Sequence, residues 1–219
     1  MIRLHHVPGS RSFRILWLLE ELALDYDIQP YRLDDGSTRQ PDFLALSPAG
    51  RVPALEIDRQ AIFESGAILQ YLLERQPQAG LAPLPGAADR ARFLEWLHFS
   101  ETQAALLEQL NIQHIFLRPP EARSPVLMKL LARRLAVTMQ AMERTLTGQD
   151  TLLAGGFSAA DVAYGFNIPA VFRFVRGDAF PALQAYAVRM AVRPAFQRAQ
   201  ARDGAGTLYA RDFYEVPDV

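Results

Sequence analysis

The stretch Ser47-Pro48-Ala49-Gly50-Arg51-Val52-Pro53-Ala54-Leu55-Glu56-Ile57, continued by Ile62-Phe63-Glu64-Ser65-Gly66-Ala67-Ile68, decides the fold. Ser47-Pro48 and Gly50 mark a turn. Pro53 has no N–H for a ladder bond, so it suits the first residue of a strand or a cis turn. With a cis bond ahead of Pro53, the main chain of Val52 turns outward, its N–H and C=O free to pair with an extended peptide as a short added strand. Ala54, Leu55 and Ile57 then form one strand and Ala61 to Phe63 the next, with Asp58-Arg59-Gln60 as the turn. Ser65 is read as the cap of a helix whose apolar positions Ile68, Tyr71 and Leu72 recur at i, i+3, i+4. Glu64 and Ser65 thereby sit at a helix N-terminus, where backbone N–H groups attract an anion. A plain hairpin and capped helix explains any one of these residues; their order and spacing together argue for a binding site.

Composition bounds the rest. The chain has 219 residues, half of them hydrophobic, enough for one large domain or two small ones. A net charge of −1 offers no broad footprint for nucleic acid. Cysteine is absent, which excludes a disulfide scaffold, a thiolate metal site and a cysteine nucleophile. Lys129 is the only lysine, a bias that GC-rich coding explains. Met1 to Leu4 does not read as a signal segment, and the apolar run Ile15 to Leu24 is short and broken by Glu20 and Glu21. A soluble, intracellular protein with neither a nucleic-acid nor a membrane partner is expected.

Ile2 to Val7 reads as a strand. Its adjacent His5 and His6 point to opposite faces and cannot chelate one metal. Pro8 to Ser12 is a turn into a helix with the stripe Ile15, Leu18, Leu19, Leu22. Ser10 and Ser12 stand at its start, where N-capping is a serine's commonest role. Tyr26 to Leu33 reads as a second strand, and Pro41 opens a short helix after Arg39 and Gln40. Gln76 to Gly86, with three prolines and two glycines, is the linker candidate. Beyond it the period is helical. Phe93, Trp96, Leu97, Ser100, Ala104 and Leu107 share one face, and Met128, Leu131, Leu135, Met139, Met142 and Leu146 another. These stripes read as core, while His98, Phe99, Thr102 and His114 are candidates for a cleft. Ser158 and Asp161 form a short-side-chain capping box, with a folding role. Two more helices flank Arg193-Pro194.

"SPAGRVPALE" followed by "ESGAILQYL" resembles the glutathione-binding half of the soluble glutathione S-transferases. "HHVPGSRSFRILWLLEEL" resembles their serine-type, bacterial and yeast-like members, and "GGFSAADVAYGF" the N-capping motif of their second domain. The resemblance implies a thioredoxin-like α/β domain over 1–76, a linker over 77–86, and an all-α helical domain over 87–219 that contributes the electrophile site. It implies a cis Pro53, a Val52 main chain that pairs with the cysteinyl part of glutathione, and a Glu64-Ser65 pair that holds the γ-glutamyl end. Arg51, with Arg39 and Gln40 as alternatives, is the candidate for the glycyl carboxylate; for Arg39 a solvated surface role is preferred. Ser10 is favoured over Ser12 as hydrogen-bond donor to the sulfur. The tyrosine mechanism of other members does not transfer, because His5, His6 and Val7 occupy the end of the first strand.

The implied function is a transferase that joins the glutathione thiolate to a small hydrophobic electrophile, with glutathione as co-substrate, no metal, a homodimeric assembly and a cytoplasmic, detoxifying role. Glutathione-dependent peroxide reduction or isomerisation in the same site is one alternative; a non-catalytic interaction protein of this fold is another. The energetic task is defined. A free thiol titrates near ~8.5, and lowering that by about two units takes roughly 2.7 kcal/mol of preferential thiolate stabilisation. A hydroxyl donor and a helix N-terminus at Ser10, aided by a guanidinium such as that of Arg11, are of the right size to supply it.

Overall fold

The computed structural model describes residues 1–216; positions 217–219 of the span expected to be helical lie outside the described residues. The chain folds as two compact units, residues 1–90 with 191–207, and residues 91–190 with the stretch from Leu208 onward.

In the first unit β1 (Ile2–His6), α1 (Phe13–Glu21) and β2 (Asp27–Pro30) form a parallel crossover, and β3 (Ala54–Ile57), β4 (Gln60–Phe63) and α3 (Ser65–Arg75) follow the short α2 (Pro41–Leu46). The sheet order is β2-β1-β3-β4, with β1 parallel to β2, and β3 antiparallel to both β1 and β4. This is the thioredoxin-like arrangement expected for the N-terminal part. The hairpin turn is tighter than expected: Gln60 pairs with Ile57, so only Asp58 and Arg59 turn, both at positive φ as a two-residue hairpin of this twist demands.

Helix α1 is apolar on more than one side, and Phe13 through Leu19 are all buried. Its second partner is α9 (Pro194–Asp203), which the sequence reading counts with residues 87–219 but which packs on α1. The reason is the short apolar face of α9. Phe196 stands edge-on to Phe13 and Trp17, with ring centres 5.2 and 4.9 Å away, and Ala195 and Ala199 are buried beside it. The rim is ionic. Arg193 makes a two-pronged bond to Glu21 at 2.9 and 3.0 Å, and Arg198 reaches Glu20 at 2.8 Å.

The second unit is helical: α4 (Arg90–Asn111), α5 (Pro125–Leu146), two short helices α6 (Ala159–Val162) and α7 (Asn167–Val171), and α8 (Pro181–Ala191). Both sequence stripes lie inside; Phe93, Trp96, Leu97, Ser100, Ala104 and Leu107 are buried on α4, and Met128, Leu131, Leu135, Met139, Met142 and Leu146 on α5. Among the described residues no helix is long and apolar enough to cross a membrane.

The capping box before α6 is formed, and it is a larger device than a cap. Asp161 has no exposed surface. It accepts from the N–H of Ser158 at 2.8 Å and of Leu152 at 3.0 Å, and from the hydroxyl of Tyr186 on α8 at 3.0 Å. Burial pushes its carboxyl above the ordinary range, against the pull of these donors. Removing the carboxylate strands several buried donors at once, each costing about 1–3 kcal/mol. Chemical denaturation of Asp161→Ala is therefore expected to show a loss of about 3–5 kcal/mol, against about 1 kcal/mol for Ser158→Ala; equal losses would reduce Asp161 to a simple cap.

Candidate functional site

The register of the sheet gathers most of the sequence-derived candidates at one end. His5 pairs with Ala54 and Ala54 with Phe63, so the turn after β1, the Val52-Pro53 step before β3 and Glu64 after β4 are neighbours along that edge. The Val52-Pro53 bond is cis. Among the described residues the Val52 main chain takes part in no hydrogen bond. Ser47, buried at the end of α2, holds the approach: its hydroxyl donates to the Arg51 carbonyl at 2.8 Å, and its own carbonyl accepts from Gly50 N–H at 2.8 Å. Arg51 itself is exposed, as are Arg39 and Gln40 in the loop ahead of α2.

Glu64 and Ser65 divide the start of α3 differently from expectation. Glu64, not Ser65, is the residue flanking the helix, and it holds φ +74°, ψ 114°, a backbone region that a side chain makes costly. Ser65 is the first helical residue, and its hydroxyl accepts a hydrogen bond from Arg14 Nη1 at 3.0 Å. Arg14, fully buried in α1, is the residue that sequence reading missed. Its position among apolar neighbours in "SFRILWLL" gives no local sign of burial; only a polar group across the fold explains it. That bond places the Ser65 oxygen against a guanidinium at the start of α3.

The two serines of the first turn are unequal. Ser12 is wholly buried and Ser10 only partly so. Their hydroxyls are 2.7 Å apart, and Ser12 Oγ lies 2.7 Å from His6 Nδ1. His6 Nε2 in turn meets Asp203, at the end of α9, at 3.1 Å through Oδ1 and 3.0 Å through the carbonyl. The same carboxylate accepts from Gly9 N–H at 3.1 Å. Gly9 (φ +70°) is packed so closely that a Cβ there would lie 3.3 Å from the Gly206 Cα. His5, on the other face, is spent on Tyr31 and Glu56 at 3.0 and 2.8 Å. Asp203 too was invisible to sequence pattern, being 197 residues from its partner.

This geometry has counterparts. Residues 1–74 match the family model for the glutathione S-transferase N-terminal domain. A maize glutathione S-transferase is 32% identical over 90% of this chain and 92% of its own. The chain belongs to the glutathione S-transferase family. Two solved structures extend the match to three dimensions. A Methylococcus capsulatus glutathione transferase superposes with TM-score 0.81 at 27% identity, over 93% of this chain and 99% of its own. A sphingomonad glutathione S-transferase, solved with glutathione, superposes at 0.76 and 30% identity, over 92% and 98%. Both expected parts of the transferase fold, the thioredoxin-like domain and the helical region, are therefore present.

In the helical unit, His114 was a cleft candidate alongside His98, Phe99 and Thr102. It lies in an aromatic cluster, 5.3 Å from the Phe174 ring and 5.7 Å from that of Tyr214, with Tyr209 packed on both. It also lines a cavity of about 430 Å³ with Arg123, Met128 and Arg211. Burial, and then the charges of Arg123 and Arg211, hold its ring down to about 4 against an ordinary 6.5. The unfolded chain takes up this proton as pH falls through about 6.5, and the folded chain does so only near about 4. Stability contributed by the neutral ring is thus complete above the ordinary value and lost progressively as pH falls between the two. Urea unfolding from pH 7 to about 4.5 should show that decline, at most about 3 kcal/mol from this group, and His114→Phe should flatten it. An unchanged slope in the variant would remove His114 as its source.

Proposed function

We propose that this glutathione transferase binds glutathione along Val52-Pro53, anchors its γ-glutamyl end on Glu64 and Ser65, and stabilises its thiolate through Ser10 for attack on a small apolar electrophile. The observation that carries the assignment is the inequality of the two serines at one end of the sheet. Ser12 is enclosed and committed to His6, whereas Ser10 is partly exposed ahead of α1 and can present its hydroxyl to a ligand. A thiolate there would gain a charge-assisted hydroxyl bond and the favourable end of the helix dipole.

Binding and ionisation fall to different residues. The Ser65 hydroxyl, polarised by the buried Arg14, suits the α-carboxylate of the γ-glutamyl group, and the exposed Glu64 carboxylate suits its ammonium. Arg51, exposed on the approach to Val52, is assigned to the glycyl carboxylate. Catalysis then comes from thiolate stabilisation and positioning rather than from a covalent group of the protein. The homodimeric assembly, cytoplasmic location and detoxifying role implied by the resemblance complete this reading.

Two measurements separate the roles. Ser10→Ala should raise the pKa of bound glutathione by about one to two units and lower kcat/KM at neutral pH about 10–100-fold, with S-methylglutathione affinity unchanged in calorimetry. Ser65→Ala should weaken S-methylglutathione binding about tenfold and leave the bound thiol's pKa in place. If Ser12→Ala moves the thiol pKa while Ser10→Ala does not, the assignment of the sulfur ligand is wrong. Failure of immobilised glutathione to retain the protein would favour a non-catalytic role instead.

A further inference from the structure

We propose that His6, held by Asp203, accepts the thiol proton of bound glutathione, which reaches it through the hydroxyls of Ser10 and Ser12. This rests on Ser10 as the residue that meets the sulfur.

Hydrogen-bond polarity carries the argument. His6 Nε2 faces two acceptors, the Asp203 carboxylate at 3.1 Å and the Asp203 carbonyl at 3.0 Å, so Nε2 bears the proton. In the neutral ring Nδ1 is then a lone pair, and Ser12 Oγ at 2.7 Å donates to it in preference to the Val7 carbonyl, which lies at 3.3 Å. Having spent its proton, Ser12 Oγ can only accept, from Val7 N–H at 3.3 Å and from the Ser10 hydroxyl at 2.7 Å. Ser10 therefore points its proton inward and offers an arriving thiol a lone pair.

The transfer balances. The S–H bond breaks as an O–H bond forms on Ser10. Ser10 passes its original proton to Ser12, and Ser12 passes its own to His6 Nδ1. Each hydroxyl gains one proton and loses one; the products are a thiolate and an imidazolium. All three hydrogen bonds have reversed, so Ser10 now donates to the sulfur it has just deprotonated. The new cation stands against the Asp203 carboxylate, which Gly9 N–H holds in place at 3.1 Å. Ser12 and His6 are 0% and 1% exposed, so the proton is held away from bulk water. Asp203 is the charged partner the described residues provide at this ring; Glu56 and Arg3, which pair with each other, lie with His5 on the other face of β1. Once the thiolate is consumed, the same chain returns the proton outward to the departing group or to solvent. His6 and Asp203 touch no substrate and act only through the serines. A merely structural histidine, by contrast, would keep one charge state whether or not a thiol is bound.

The decisive experiment uses the unmodified protein. Its four histidines are labelled with ¹⁵N in the ring and followed by NMR at neutral pH as glutathione or S-methylglutathione, which has no thiol proton, is added. Glutathione alone should convert His6 Nδ1 from a bare to a protonated nitrogen. In parallel, ultraviolet absorbance measures thiolate formed, and calorimetry in buffers of different ionisation heat measures protons released. Wild type should form thiolate with little release. Asp203→Asn should release close to one proton per thiolate and raise the bound thiol's pKa about one unit, a tenfold loss of thiolate well below that pKa, without loss of S-methylglutathione affinity. A His6 that stays neutral while thiolate forms, or full proton release in wild type, overturns the relay and leaves Ser10 as a simple donor. Absence of saturable S-methylglutathione binding overturns the transferase reading itself, and the relay with it.

Discussion

A central strand that carries two adjacent histidines has no way to give either ring to water, because alternation sends one to each face of the sheet and both faces are covered. β1 is such a strand, with His5 and His6 3% and 1% exposed. An imidazole without partners at that depth would cost about 1–3 kcal/mol for each stranded polar atom. The fold answers on both sides. On one, Tyr31 and Glu56 come from the flanking strand ends and Phe43 of α2 packs close to the ring. On the other, Ser12 comes from the first turn of the crossover and Asp203 from the end of α9. That second answer uses a helix nearly two hundred residues downstream, already seated on α1 by its apolar face, and its Asp203 also holds Gly9 in the turn that carries Ser10.

The parts of this that were legible beforehand are those written in neighbouring residues. Pro53 lacks a ladder donor whatever surrounds it, so a strand start was readable there. The stripes on α4 and α5 repeat at the helical period because one face of each is buried, and buried they are. Ser158 and Asp161 are three residues apart, and their reciprocal bonds need nothing else. What escaped was decided by partners distant in sequence. Arg14 sits where an apolar residue would, and one of its partners, Ser65, comes from across the fold. Asp203 closes a polar helix, with Arg198 and Arg202 on its exposed side, and reads as surface until Gly9 and His6 are placed against it. The misplaced cap at Ser65 has the same origin: a serine at a helix start is usually a cap, but here a buried guanidinium has claimed its oxygen.

The candidate site is accordingly made mostly of ordinary groups in unordinary company. A thiolate must be favoured by roughly 2.7 kcal/mol for a two-unit shift, and the chain has no cysteine to share in it. Hydroxyls and main-chain dipoles reach that sum only when they are already oriented, since each reorientation on binding would subtract from it. Burial of Ser12 and the two-sided hold on His6 keep the oxygen and nitrogen atoms of the chain in place, so that only protons need move. Glu64 belongs to the same economy: a non-glycine residue kept at φ +74° is tolerated where surrounding structure over-determines it, here between β4 and α3.

One consequence concerns where the site ends along the chain. The family match over residues 1–74 takes in every strand, both serines, Val52, Pro53, Glu64 and Ser65. It does not include Asp203. Judged on those residues alone, His6 would be a buried ring with one nitrogen satisfied by Ser12 and a proton on the other facing no acceptor, or the opposite tautomer with its donor turned on a serine. In that second tautomer His6 Nδ1–H would donate to Ser12, Ser12 would be free to donate to Ser10, and the chain would stand reversed before any thiol arrived. The carboxylate at the end of α9 selects between these two states. It belongs to the polarity of the site even though it lies 129 positions beyond the last of the matched residues.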